Sequence, residues 1–368
     1  MSKVSTTSSQ EIARRDALAE RLFNGLLEAM ELLSVQLGLE LGLYACLHRD
    51  GPAHAGEVAD RAAIHPRYAL EWLEQQAAAG FLDTATEATD PDHRRFALPP
   101  GHAEALLDHD NPASVHAIVP AMIGIVGVLD QLASSYRTGR GVSYAAFGPG
   151  IRHGIAGMNR PMFTNDLSGW LAAAPGVDQH LRSRAHPRIL DIGCGTGWST
   201  IALARTYPRA HVHAIDLDRA SVDDAGHTAT QAGVASRVNF EVRDAVTVDG
   251  LDERYDLVCI FEALHDMAHP VQTLANIRQV LAEDGAVLIA DERVSETFTA
   301  PADFNDRLMY GWSVLHCLPA TMAEHPTIAT GTVLRPSTLR RYASDAGFHR
   351  SQELAVDNDF WRLYLLQP

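Results

Sequence analysis

Arg188-Ile-Leu-Asp-Ile-Gly-Cys-Gly-Thr-Gly-Trp198 is the stretch that decides the fold. An apolar run carries an acid, Asp191, near its end, and three alternating glycines follow: Gly193, Gly195 and Gly197. Glycine has no Cβ, so such a loop can take unusual φ values and bring backbone close to a ligand. The pattern reads as a strand, a tight turn and the start of a helix. A second apolar run then ends at Asp216.

The spacing is Gly-x-Gly-x-Gly, not the Gly-x-Gly-x-x-Gly that cradles a dinucleotide pyrophosphate. A carboxylate ending the next strand suits ribose hydroxyls. Together these features point to a nucleoside cofactor without a pyrophosphate, S-adenosylmethionine, and so to methyl transfer. Asp191 would organise the loop or reach the ligand's amino group through water. Asp216 and its neighbour Leu217 would hold the ribose. Asp244 and Ala245, after Glu241-Val-Arg, would meet the adenine, and Phe261 would line the same site. The competing structural roles are a turn or helix-capping acid for Asp216 and a capping acid for Asp244.

Outward from the loop, the chain alternates strand and helix. Strands read at 188–193, 211–217, 238–243, 255–261 and 286–292, with two more near 351–356 and 360–366. Repeated βα units imply a parallel, doubly wound α/β sheet of Rossmann-like type. Ligands bind such sheets beyond the carboxyl ends of the strands. His265 and Asp266 follow the fourth strand, and Asp291 and Glu292 end the fifth. Histidine near neutral pH suits removal of an acceptor's proton, and either carboxylate is placed to orient it. An insertion at 297–330 is positioned as a lid. Its Phe304, Met309, Tyr310, Trp312 and His316 suit an enclosed, largely apolar pocket.

Upstream, residues 1–10 read as a disordered tail and Glu11 to Leu47 as helix. Leu22, Leu26, Leu27, Met30, Leu33 and Leu37 recur at helical spacing. They suit burial either against another subunit or within their own domain. Residues 55–82 read as a short helix, a turn and a second helix stopped by Gly80, with a β-wing closed by Phe96-Ala-Leu-Pro. This is a winged-helix pattern, yet its helices carry more acids than bases, against DNA reading. Segment 111–185 reads as helical, broken by glycines at 139–141 and 148–157. Tyr144, Asn159 and Phe163 there serve either as core or as a substrate-cavity wall. Three regions result: 1–110, a helical winged-helix dimerisation domain; 111–185, a linker and cavity wall; and 186–368, the nucleotide-binding domain.

A formal net charge of −16 repels nucleic acid and anionic membrane. Cys46, Cys194, Cys259 and Cys317 are too scattered for a zinc motif or a disulfide framework, which suits a reducing cytoplasm. The N-terminus lacks signal-peptide character. The apolar run Ala117–Leu129 is too short to span a bilayer.

These residues resemble class I S-adenosylmethionine-dependent methyltransferases. The winged-helix front and Rossmann-like back together resemble small-molecule O-methyltransferases that dimerise through their N-terminal domain, including plant-type and bacterial natural-product enzymes. That resemblance implies a metal-free reaction, an aromatic or heterocyclic metabolite as substrate, and S-adenosylhomocysteine as product. The family's His-Asp-Trp motif is His265-Asp266-Met267 here, so His265 inherits the base role and Met267 replaces the tryptophan. The first supporting glutamate falls at Asp291, with Glu292 adjacent. The second has no match near Ser337-Thr338, and a family lysine is Phe261. Transfer to oxygen is favoured, with nitrogen, sulfur or carbon open. The rival readings are a nicotinamide oxidoreductase and a non-catalytic S-adenosylmethionine-sensing regulator.

Overall fold

The computed structural model describes residues 8–84 and 93–368. The chain divides into two compact units, one up to Val119 and one from Pro120.

The first unit contains α1 (Ser9–Glu40), α2 (Leu43–Asp50), α3 (Ala55–Ala62), α4 (Pro66–Ala78), β1 (Asp83–Thr84), β2 (Phe96–Ala97) and α5 (Pro100–Leu107). Ser8 caps α1 in a reciprocal box with Glu11, so residues 8–10 belong to the helix rather than to a tail. Residues 1–7 of the expected tail lie outside the described residues. The expected single helix to Leu47 is broken at Gly42, whose φ of +68° ends the first rod. Gly80 stands in the expected C′ position with φ +78°. Phe81 N–H donates to Gln76 O at 2.9 Å, satisfying a carbonyl left over by α4. Strands β1 and β2 pair antiparallel as the wing.

Within this unit, Trp72 meets Tyr44 edge-on at 5.0 Å and donates its indole N–H to Ser34 O at 2.9 Å. A Cβ at Gly38 would fall 2.2 Å from Trp72, so glycine is what lets α1 lie against that ring. Only Val35 and Gly38 of α1 are buried. Leu22, Phe23, Leu26, Leu27, Met30, Leu33 and Leu37 are all exposed, Phe23 by 73%. Among the described residues, α1 alone is a single helix long and apolar enough to cross a membrane by length and composition, with mean hydropathy 1.2 over its best window.

The second unit begins with α6 (Ile118–Val126), α7 (Leu129–Thr138), α8 (Gly148–Asn165), α9 (Leu167–Ala172) and α10 (Pro175–Ser183). The alternating layers follow: β3 (Arg188–Ile192), α11 (Trp198–Thr206), β4 (His211–Asp216), α12 (Arg219–Gln231), β5 (Val238–Val242), β6 (Tyr255–Phe261), α13 (Pro270–Val280) and β7 (Leu281–Glu292). Then come α14 (Phe304–Trp312), α15 (Leu318–Met322), α16 (Pro336–Asp345), β8 (Arg350–Glu353) and β9 (Trp361–Gln367). The sheet order is β5-β4-β3-β6-β7-β9-β8. The first five strands are parallel and β9 runs antiparallel to both its neighbours. This is a mainly parallel, Rossmann-like sheet, as the alternation predicted.

Two expectations change. Gly148, with φ +73°, does break the chain at the start of α8, but the later glycines of the expected break, at 150–157, lie inside that helix. A Cβ at Gly150 would fall 2.7 Å from Pro120 O, and one at Gly154 2.6 Å from Ala121 Cβ. They are packing glycines that bring α8 against α6. Strand β7 starts at Leu281, before the predicted 286. Tyr255 pairs with Leu281 across a register shift, and Gly285 fits because a Cβ there would meet Tyr255 O at 2.7 Å.

Candidate active site

The carboxyl ends of β3, β4, β6 and β7 form one rim. One side of it is built by the glycine loop. Gly193 and Cys194 N–H groups donate to Ile215 O at 2.9 and 3.1 Å, which ties the loop across to β4. Gly193 has φ +72°, and a Cβ there would strike that of Ala263 at 2.6 Å. Gly195 has φ +50° with open space where a Cβ would stand. Asp191 is buried, and its Oδ2 accepts from Ser199 Oγ (2.7 Å) and Thr200 Oγ1 (2.6 Å). Its observed task is to lock the start of α11 to the end of β3. Burial pushes its carboxyl up to about 6, against the pull of those hydroxyls.

Asp216 Oδ2 accepts from Gly195 N–H at 2.8 Å and Oδ1 from Asp218 N–H at 2.9 Å. Burial raises its pKa against those bonds. A carboxylate offers about four lone-pair sites, so acceptor capacity remains on both oxygens. The open space at Gly195 and this spare capacity beside it fit a nucleoside with vicinal hydroxyls. Leu217 is 53% exposed next to it. Asp244 accepts from Val246 N–H at 3.0 Å and caps the turn that begins at Ala245, the capping role weighed against adenine contact.

The opposite side of the rim is charged and closed. His265 is 1% exposed. Asp291 Oδ1 accepts from its Nδ1 at 2.8 Å, and Asp266 Oδ1 lies 3.5 Å from its Nε2. Burial opposes the imidazolium, but the charges of Asp291 and Asp266 outweigh it and hold the His265 pKa well above its ordinary value. Glu292 hydrogen-bonds Glu262, which also accepts from Asn159. Burial and then the facing Glu262 push the Glu292 carboxyl well above its usual range.

Glu262 is the residue that sequence reading missed. It directly follows β6, much as Asp216 ends β4, so the same signal, an acid at the end of an apolar run, was available. Its φ of +52° is rare for a side chain of this size. Its N–H donates to Ala290 O at 2.8 Å.

Of the expected substrate residues, Tyr144, Trp312 and His316 come together: His316 meets Tyr144 at 5.7 Å and Trp312 at 6.3 Å, both edge-on. Asn159 joins the site through Glu262. Phe163 and Phe261 are corrected to core: both are buried, 5.6 Å apart, in an aromatic cluster with Trp170 and Trp361. Van der Waals packing of rings wins there because both face into the main apolar core. Tyr310 accepts a hydrogen bond from Arg335 at 3.0 Å, and Phe304 is 66% exposed instead of lining a pocket. A hollow of about 210 Å³ lined in part by Phe163, Trp198 and Arg205 contains none of the rim's acids or histidines.

Residues 183–333 match the methyltransferase domain family, and residues 29–107 match the Rv2258c-like winged HTH domain. The 27-O-demethylrifamycin SV methyltransferase of Amycolatopsis mediterranei is 34% identical over 108 residues, covering 29% of this chain and 39% of that enzyme. The chain spans between 25% and 43% of the length of the curated relatives it matches. Among solved structures, an O-methyltransferase family protein from Burkholderia thailandensis superposes with a TM-score of 0.68 at 16% identity, covering 95% of this chain and 97% of that one. Human N-acetylserotonin methyltransferase in complex with SAM gives 0.66 at 17% identity, covering 100% and 99%. At these identities the superpositions speak for the fold. The chain therefore joins a winged helix-turn-helix domain of the Rv2258c-like type to a methyltransferase domain with the class I sheet.

Proposed function

We propose that this chain transfers the methyl group of S-adenosylmethionine to an oxygen of a small aromatic or heterocyclic metabolite, with His265 as general base. The observation that carries this reading is the buried His265–Asp291 pair at the strand ends, on the same rim as the Gly195–Asp216 cradle. Bound S-adenosylmethionine supplies an electrophilic methyl group on a sulfonium. The chain's own residues then have three tasks. Asp216 accepts the ribose hydroxyls, the glycine loop leaves room for the amino-acid portion, and Asp244 receives the adenine amino group beside Ala245. His265 Nε2, once neutral, takes the acceptor's proton, while Asp291 fixes the ring and steadies the charge that develops. Tyr144, Trp312 and His316 supply the apolar wall that aligns the acceptor.

The test is calorimetric. Micromolar binding of S-adenosylmethionine, with none of NAD in the same preparation, is the expected result. Preference for NAD would overturn the reading in favour of an oxidoreductase. The sensing-regulator reading is weaker, because the bases around the winged helix are engaged: Arg61 and Arg95 with Glu57, Arg67 with Glu71, Arg94 with Glu74.

The exposed apolar face of α1 belongs to a homodimer in this reading. Glu28 and Glu31 sit in the middle of its apolar window, where a bilayer would charge heavily for them. Sedimentation should give a dimer, and Leu26→Asp with Met30→Asp should give a monomer. Flotation of the wild-type chain with lipid vesicles would favour a membrane instead.

A further inference from the structure

We infer that His265 Nε2, Asp266 Oδ1 and Cys317 Sγ form a three-ligand site for a thiophilic divalent cation of the zinc class. These donor atoms all lie within 4.8 Å of one another. One nitrogen, one carboxylate oxygen and one sulfur make a donor set that selects zinc or cobalt over magnesium or calcium. The geometry needs little adjustment. Nε2 and Oδ1 are 3.5 Å apart, against about 3.3 Å for two ligands of a tetrahedral zinc with bonds of about 2.0 Å. Moving the thiol inward by on the order of 1 Å completes the edge to sulfur, given a zinc–sulfur bond of about 2.3 Å.

Independent features point the same way. Asp291 already accepts from His265 Nδ1 at 2.8 Å, which is the carboxylate–histidine support that orients a metal-binding imidazole and leaves Nε2 facing the ion. Asp266 Oδ1 faces His265 Nε2 at 3.5 Å and has no hydrogen-bond partner among the described residues, so it keeps acceptor capacity for an ion placed between the two. Cys317 ends a five-residue π-helical turn, Ser313–Cys317, a distortion that re-aims side chains and is common at functional sites. His316 Nδ1 lies 3.4 Å from Cys317 Sγ and is placed to donate to a thiolate there. Its own Nε2 is buried without a partner, and the ring is 1% exposed. Three protein ligands leave a fourth position open, the pattern of sites that exchange or bind a further group. Asp266, whose side chain is 35% exposed, is the route of entry.

Binding forms three metal–ligand bonds and releases to solvent the thiol proton of Cys317 together with the Nε2 proton of the His265 imidazolium. The ion takes the lone pair on Nε2 that a base would use. Occupancy and proton removal at His265 therefore exclude one another, a consequence that rests on the methyl-transfer reading, whereas the site itself does not.

The test uses the full chain stripped with a chelator and titrated with Co²⁺, then Zn²⁺. One equivalent of cobalt should produce a thiolate-to-cobalt charge-transfer band together with intense visible bands of a tetrahedral ion, and zinc should erase both. The band reports sulfur, which separates this site from surface histidines, of which the chain has many among its eighteen. Cys317→Ala should lose the band, and Asp266→Asn should weaken binding about tenfold or more while keeping it. Near-ultraviolet circular dichroism confirms that each variant is folded, and the partly exposed Asp266 provides the variant least bound up with packing. No band in the wild-type protein, or an unchanged band in Cys317→Ala, would overturn the inference. Calorimetry with S-adenosylmethionine on the same stripped protein reads the methyl-transfer proposal separately, so either can fail alone.

Discussion

The two sides of the strand-end rim are built on opposite principles. Around Gly193–Gly197 and Asp216, every polar group named above has a partner in the loop, at the start of α11 or just after β4. On the acceptor side, Asp291 Oδ2, Asp266 Oδ1 and His316 Nε2 are buried without hydrogen-bond partners among the described residues. Two carboxyl groups, Glu262 and Glu292, also face each other there. The first side is satisfied by folding and needs the ligand only for affinity. The second holds polar groups out of water at a cost of about 1–3 kcal/mol each. Folding alone does not offset that cost, which supports the proposal that this side carries the chemistry.

Replacing His265 would break the contrast most visibly. His265→Ala should lower turnover about 10²–10⁴-fold once an acceptor is found, the usual scale for a general base, with calorimetric affinity for S-adenosylmethionine nearly unchanged. Equal turnover would mean that positioning alone drives transfer. Asp216→Ala should do the reverse. Loss of a charged hydrogen-bond acceptor costs about 1.5–3 kcal/mol, so cofactor affinity should fall about 10- to 100-fold. An unaltered dissociation constant would remove Asp216 from the ligand and leave it as a loop tie for Gly195.

A pH profile sharpens the comparison. The base must be neutral to accept a proton, and Asp291 and Asp266 raise the His265 pKa well above its ordinary value. Turnover should therefore rise with pH through a pKa higher than that of a free histidine. Asp291→Asn should move that limb to lower pH while lowering the plateau. A limb at the ordinary histidine value would mean that the carboxylates do not act on the ring.

The smallest effect concerns stability. Glu292 titrates higher in the folded chain than in the unfolded one. Its contribution is complete below the unfolded pKa and is lost as pH rises through the folded one. The melting temperature should fall as pH climbs above the usual carboxylate range. Glu292→Gln should flatten that slope and raise the melting temperature at neutral pH by about 2–4 °C, the shift about 1 kcal/mol gives a domain of this size. A parallel slope in the variant would place the burden on Glu262 or elsewhere.

Much of this was legible from local pattern. Alternating apolar runs and the Gly193–Gly197 loop specified the parallel strands and their connection, because strand period, helix period and glycine backbone freedom are properties of short segments. Gly80 announced the end of α4 for the same reason. His265 and Asp291 could be placed on one rim because one follows and the other lies at the carboxyl end of neighbouring strands, and strands of one parallel sheet end together. The antiparallel entry of β9 was not legible, since orientation is settled by which edge of the sheet remains open. Nor was the role of Gly150 and Gly154, where a helix that looked interrupted is held by close contact with α6. Phe163 read as either core or cavity wall and Phe261 as a cofactor-site residue, and their packing was settled by rings distant in sequence, Trp361 against Phe163 and Trp170 against Phe261.

The sequence by itself therefore determined the order of strands and helices, the nucleoside loop and the histidine at the rim, all of which depend on contacts within a few residues. Only the tertiary structure decided that Asp191 serves Ser199 and Thr200, that Glu262 and Glu292 share one environment, and that Cys317 stands beside His265. The first depends on the burial of Asp191 beside a helix start 8 and 9 residues away, and the other two on pairings across about 30 and 50 residues. Desolvation and charge proximity act through space, and no local pattern records them.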